Sequence, residues 1–179
     1  TSQDAIYYQE KQADGTYTDY TGTHTDPFRT ITIPEAGKPH LVDIDGDGDK
    51  DVIMGLLDGT IDYYKNTGTS SLPFFELQSS GNNPFSAFDV GSYSAPTTYD
   101  IDNDGDFDLI VGDEDGTLEY IKNIGSSTNP VFQQQTSGNN PFNSIDVGLY
   151  AFPVFADLDS DGDGDLVCGH LDGRLFTFE

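Results

Sequence analysis

Apolar residues in this chain come in short blocks separated by Gly, Pro, Asp and Ser. None of these blocks follows the 3.6-residue spacing of an amphipathic helix. Three are continuous: Val52-Ile-Met54, Leu109-Ile-Val111 and Leu166-Val-Cys168. An unbroken run this short suits a strand covered on both faces. Before each lies another short segment, His40–Val42, Thr97–Tyr99 or Val154–Ala156, on the far side of an acidic stretch. After each comes an Asp-Gly pair, 58–59, 115–116 or 172–173. Such a pair predicts a tight hairpin of type I′, with both central residues at positive φ. A mixed aromatic segment follows (Ile61–Tyr64, Leu118–Ile121), then a Ser/Thr/Pro loop and a fourth segment (Phe74–Leu77, Val131–Gln133). The predicted fold is all-β, in four-stranded antiparallel units.

The units repeat with a fixed period. The acidic stretches begin at Asp43, Asp100 and Asp157, 57 residues apart. Pro39, Pro96 and Pro153 keep the same spacing, as do Gly55, Gly112 and Gly169, and Ser80–Phe85 is nearly copied at Ser137–Phe142. A four-stranded antiparallel sheet repeated about three times predicts blades of a β-propeller, which need neighbours to bury their faces. The chain then reads as one repeat array, 1–179. Residues 1–38 form a partial blade (strands three and four, from Ala5–Tyr8 and Tyr17–Tyr20) plus a connection. Residues 39–95 and 96–152 form two complete blades, and 153–179 an incomplete one. Propellers have typically 4–8 blades, so the array is expected to belong to a larger propeller or an oligomeric assembly. Its open ends would meet a protein partner or further copies of the same chain.

The acidic stretches carry the chemistry. They read Asp43-Ile-Asp45-Gly-Asp47-Gly-Asp49-Lys-Asp51, Asp100-Ile-Asp102-Asn-Asp104-Gly-Asp106-Phe-Asp108 and Asp157-Leu-Asp159-Ser-Asp161-Gly-Asp163-Gly-Asp165. Five carboxylates in nine residues repel one another unless a hard cation lies among them. Positions 1, 3 and 5 supply side chains, Gly at 6 permits a sharp turn, position 7 offers its carbonyl, and an acid at 9 closes the shell. An EF-hand uses the same logic but closes with Glu at position 12. Position 12 here is Met54, Val111 or Cys168, so the loop closes three residues early, between strands. All-oxygen ligation favours Ca²⁺ over zinc or copper, and the flexible loop favours it over Mg²⁺. Three Ca²⁺ sites are expected. Asp43, Asp45, Asp47 and Asp51 act through side chains and Asp49 through its carbonyl. The same roles fall to Asp100, Asp102, Asp104, Asp108 and Asp106, and to Asp157, Asp159, Asp161, Asp165 and Asp163.

Asp-x-Asp-x-Asp-Gly-Asp-x-Asp, followed by a β-run, a Gly and a later Asp-Gly hairpin, resembles the FG-GAP/VCBS-type repeat. The resemblance covers essentially the whole chain. It implies calcium-binding propeller blades like those of the integrin α-subunit head, with calcium structural in the hairpin between the first two strands. It also implies an extracellular location and a role in adhesion, recognition or scaffolding. The Phe-Gly and Gly-Ala-Pro signatures of the integrin version are only partly present (Ala95-Pro96, with Gly91 upstream), so no integrin-like ligand site carries over.

Composition narrows the function classes. Seven basic residues stand against 32 acidic ones, a net charge of −25, which opposes nucleic acid or an anionic membrane as partner. No apolar run is long enough to span a bilayer. The single cysteine, Cys168, shares the register of Met54 and Val111 and reads as a core thiol. The chain begins at Thr1 without a leader, as expected of a mature form or a portion of a longer product. His24, His40 and His170 do not recur at 57 and pair with no nucleophile at a recognisable spacing. No catalytic residue is predicted. The leading expectation is a secreted, non-enzymatic calcium-binding module for adhesion, recognition or assembly. The alternative is a glycan-binding lectin of propeller fold, using loops 80–84 and 137–141, and less favoured is the propeller of a polysaccharide-degrading enzyme.

Overall fold

The computed structural model describes residues 8–21, 23, 26–33 and 35–179. The described residues form thirteen strands and one 3-10 turn, Ser137–Asn139. The first four-stranded sheet is β3 (Lys38–Val42), β4 (Asp51–Gly55), β5 (Ile61–Asn66) and β6 (Phe75–Leu77). The second is β7 (Ala95–Tyr99), β8 (Asp108–Gly112), β9 (Leu118–Asn123) and β10 (Phe132–Gln135). The third has β11 (Phe152–Ala156), β12 (Asp165–Gly169) and β13 (Leu175–Phe178), and β1 (Gln9–Lys11) pairs with β2 (Tyr17–Asp19). Strand order follows chain order in every sheet, and all pairs are antiparallel.

Register is reproduced from unit to unit. Val42 pairs with Asp51, Tyr99 with Asp108 and Ala156 with Asp165. Val52 pairs with Tyr64, Leu109 with Ile121 and Leu166 with Phe178. A slip of one residue would exchange the side chains between the two faces of each strand. Packing shows why that is forbidden. Val52 and Met54 face one way, into a cluster with Ile31, Tyr64 and Phe75. Ile53 faces the other way with Ile61, Tyr63 and Phe85, against Leu109, Val111 and Ile121 of the second sheet. Ile110 points onward with Leu118, Tyr120 and Phe142 to meet Leu166 and Cys168 of the third. The unbroken apolar runs therefore arise because the middle strands of the first two sheets are sandwiched between neighbours. Each such Ile or Leu contributes about 1.5–3 kcal/mol by leaving water.

First strands of successive sheets lie side by side, β7 against β3 and β11 against β7. His40 Nε2 and Thr98 Oγ1 meet between them at 2.8 Å. The described residues form an open stack of face-packed sheets and close no barrel or ring. Gly55 and Gly112 sit where this stacking is tightest: a Cβ on either would overlap the carbonyl of Ser94 or Ala151 in the connection entering the next sheet.

Two expectations are corrected. In the Asp-Gly hairpins only the glycines, Gly59, Gly116 and Gly173, have positive φ. The turn is wider than the predicted type I′: Gly59 N donates to Leu56 O (3.2 Å) and Leu56 N to Thr60 O (3.1 Å), so a turn over 56–59 precedes a left-handed glycine. Towards the N-terminus the first strand among the described residues is Gln9–Lys11; of the expected Ala5–Tyr8, only Tyr8 lies among them. Gln9 pairs with Asp19, one residue beyond the partner that the 57-residue register assigns, since Asn66 pairs with Phe75. The identical segments Ser80–Phe85 and Ser137–Phe142 have equivalent packing roles. Asn83 Nδ2 donates to Ile61 O (2.9 Å) and Asn140 Nδ2 to Leu118 O (3.0 Å), while Phe85 and Phe142 are buried in the clusters between sheets.

Candidate metal centre

Each acidic loop is the connection between the first and second strands of a sheet, held at its base by the pairs Val42–Asp51, Tyr99–Asp108 and Ala156–Asp165. Two left-handed residues curl it: Gly46 and Gly48, Asn103 and Gly105, Ser160 and Gly162. The second of each pair is the predicted glycine. The first went unpredicted, although Gly and Asn are the residues that most readily adopt this conformation. The curl aims backbone N–H groups at the leading carboxylate. Asp43 Oδ2 accepts from Gly48 N (3.0 Å), and Asp100 accepts from Asp104 N (3.0 Å) and Gly105 N (2.9 Å). Asp157 Oδ1 accepts from Ser160 N (2.7 Å).

The curl gathers carboxylates. Oxygens of Asp43, Asp45 and Asp47 lie within 4.8 Å of one another, as do those of Asp100, Asp102 and Asp104, and those of Asp157, Asp159 and Asp165. Asp43 Oδ1, Asp45 Oδ1 and Asp106 Oδ1 are buried with no hydrogen-bond partner. A buried carboxylate oxygen left unpaired is costly, and a hard cation satisfies it. An all-oxygen donor set with orphaned oxygens fits Ca²⁺.

The acid at position 9 is more than a closing ligand. Asp51 and Asp108 are completely buried. Asp51 Oδ1 accepts from Asn66 N (2.8 Å) and Oδ2 from the Tyr63 hydroxyl (2.9 Å). Asp108 repeats this with Asn123 N (2.8 Å) and Tyr120 (2.8 Å), and also takes Ile101 N (3.2 Å). These acids thus tie the loop to the third strand. Burial pushes the Asp51 carboxyl up to about 6 and raises that of Asp108, and burial beside these acids raises the Tyr63 and Tyr120 phenols. The third loop differs. Thr177 stands in the register of Tyr63 and Tyr120, and Asp165 joins the carboxylate cluster itself while accepting from Leu158 N (2.8 Å).

A cation of the protein's own reaches the first two loops. Lys65 Nζ contacts Asp45 Oδ2 and lies 3.2 Å from Asp47 Oδ2; Lys122 Nζ contacts Asp102 Oδ2 and lies 3.7 Å from Asp104 Oδ2. These contacts raise both ammonium groups and hold the Asp102 carboxyl below its ordinary range.

Of the predicted position-7 acids, Asp106 is buried, its carboxyl raised by that burial and by Asp104, whereas Asp49 is half-buried and Asp163 exposed. Asp161 lies outside the third cluster, donating its N–H to Asp159 Oδ1 (3.2 Å). Sequence reasoning missed Tyr63/Tyr120, Lys65/Lys122 and Asn66/Asn123 as parts of the centre. Their signal was present: each pair recurs at 57 residues. Cys168 is fully buried, as expected. His40 is tied to Thr98 and His170 to Asp172, while His24 lies outside the described residues.

Residues 43–111 match the model of the FG-GAP-like repeat family. The match runs from the first acidic loop through the second and into β8, so this segment carries an FG-GAP-type repeat. No curated protein sequence matches the chain.

Proposed function

We propose that this chain is a non-enzymatic, calcium-braced module of an extracellular β-propeller or propeller-like assembly, serving adhesion, recognition or construction of an extracellular structure. The observation that carries the reading is the placement of a carboxylate cluster in the first hairpin of each of three sheets repeating at 57 residues, with orphaned buried oxygens in the first two loops. Calcium there is structural: it neutralises the clustered carboxylates and locks the first strand pair, and Asp45, Asp47, Asp102 and Asp104 offer oxygens to it. Millimolar extracellular calcium would fill even weak loops of this kind. The match of residues 43–111 to the FG-GAP-like repeat supports the propeller reading.

A surface of the third sheet supports a larger array. In the register of Ile61 and Leu118, which are 2% exposed, Leu175 is 72% exposed, and Val154 on the first strand of the same sheet is 51% exposed. In the first two sheets the matching face is covered by the next sheet of the repeat, so a further sheet of the same kind is the natural cover here. Analytical ultracentrifugation and thermal melting, each in calcium and in chelator, test the reading. Melting temperature should rise with calcium, and Leu175→Asp should weaken self-association or docking. A chain indifferent to calcium refutes the structural role.

One observation favours a second reading, glycan binding. Tyr93 and Tyr150 hold positive φ (55° and 59°), pack edge-to-face at 4.8 Å and stand near Lys38, whose Nζ is 5.8 Å from the Tyr93 ring. Aromatic faces beside a cation suit a sugar acid. Glycan-array binding lost in Tyr93→Ala would favour this reading.

A further inference from the structure

The three loops are alike in their acids and unlike in what faces them. The third strand brings Lys65 to the first loop and Lys122 to the second. In each, the ammonium lies against the acids at positions 3 and 5, two of the three that form the carboxylate cluster. The residue in the same register of the third unit is Glu179. The tyrosine that braces the closing acid in the first two units has no counterpart in the third, where Thr177 holds its register, and only in the third loop does the closing acid, Asp165, stand within the cluster.

We propose that the loops form two classes of calcium site. Loops 43–51 and 100–108 carry a tethered ammonium that calcium must displace, and loop 157–165, free of one, fills first. This rests on the reading that the loops bind calcium. An ammonium neutralises one charge among five carboxylates and leaves oxygens of the cluster unpaired; a divalent ion neutralises two and can take six or more oxygens. The two cations compete for the same acids, and their mutual repulsion at contact range is substantial even near the surface. Lysine yields because its flexible stem lets the ammonium swing into water. The device has a purpose in the absence of calcium. The first two sheets keep an internal counter-ion and hold their hairpins, whereas the third hairpin depends on the metal.

Calcium titration calorimetry of the whole chain tests this, beside the variant Lys65→Met/Lys122→Met, which keeps the apolar stem and removes the charge. The wild-type chain should show one tight site and two weaker ones, and the double variant should tighten the two weaker sites by about tenfold without altering the first. Glu179→Lys, at an exposed position, should weaken the tight site by a similar factor, and it serves as the test if the double variant does not fold. Hydrogen exchange should show calcium-dependent protection greatest in β11–β12. Three equivalent sites, or binding unchanged in the lysine and Glu179 variants, overturns the two-class proposal while leaving calcium binding intact. No calcium binding in any variant overturns both.

Discussion

Removing the carboxylate of Asp108 should destabilise the protein even without calcium, which separates this acid from its neighbours in the loop. Asp108→Ala strips the acceptor from three donors at once: Asn123 N, Tyr120 Oη and Ile101 N, at 2.8, 2.8 and 3.2 Å. Asp108 is 0% exposed and Asn123 1%, so water cannot replace it without opening the sheet. A buried donor left unpaired costs about 1–3 kcal/mol, so the two buried ones, Asn123 N and Tyr120 Oη, give an upper bound of about 6, and the part-buried Ile101 N adds less. Relief of a desolvated carboxylate, whose raised pKa marks the burden of burial, returns part of this. A net loss of about 3 kcal/mol is expected, a fall of roughly 6–12 °C in melting temperature for a domain of this size. Asp102→Ala is the control. Asp102 is exposed, and its ion pair with Lys122 contributes about 0–1 kcal/mol. Chemical denaturation of both variants in chelator, then in excess calcium, provides the assay. Asp108→Ala should lose stability in both conditions, and Asp102→Ala mainly the increment that calcium adds. Equal stability of Asp108→Ala and wild type in chelator would refute the assignment of position 9 as a brace.

Two further predictions follow from the packing and the charges. Gly112→Ala drives a Cβ into the Ala151 carbonyl, whereas a Cβ at Gly169 would meet Phe152 Cβ at an ordinary 3.5 Å. The first should cost about 3 kcal/mol or more and the second less than about 1 kcal/mol, measured by urea denaturation. In calcium-free protein, burial and the nearby Lys50 charge push His40 down to about 4, and burial pushes Asp51 up to about 6. The histidine contributes stability above its unfolded pKa that is lost as pH falls towards 4; the aspartate favours the fold on protonation as pH falls from 6 towards 4. These trends oppose, so His40→Gln should remove the first and leave the protein gaining stability on acidification across that window. Denaturation midpoints from pH 7 to 4 check this, and an unchanged profile in His40→Gln would show that the histidine is not held neutral.

Much of the architecture was legible without coordinates because it is local and repeated. An unbroken run such as Leu109-Ile-Val111 leaves little choice but a strand covered on both sides, and a loop such as Asp100–Asp108 announces its own electrostatics. Turn type was less legible. Asp58-Gly59 suits several hairpins, and the wider turn is selected by the strand register on either side. The N-terminal pair slipped for a related reason: its short, exposed strands carry no buried face to fix their register.

Within the centre, the sequence alone determined which acids alternate, how often the loop recurs and that only oxygen is available to a metal. It could not distinguish Asp104 from Asp108, since both are aspartates in the same loop. Tertiary structure decided that one stands at the surface within reach of Lys122 and the other lies buried beneath Tyr120 and Asn123. The same holds for Gly112, whose need for an absent side chain comes from Ala151 in the next unit. Local chemistry is written in the order of residues, but desolvation and close approach depend on which distant segment arrives. Face-to-face stacking of the sheets sets that for the glycine, and the return of the third strand sets it for the acid.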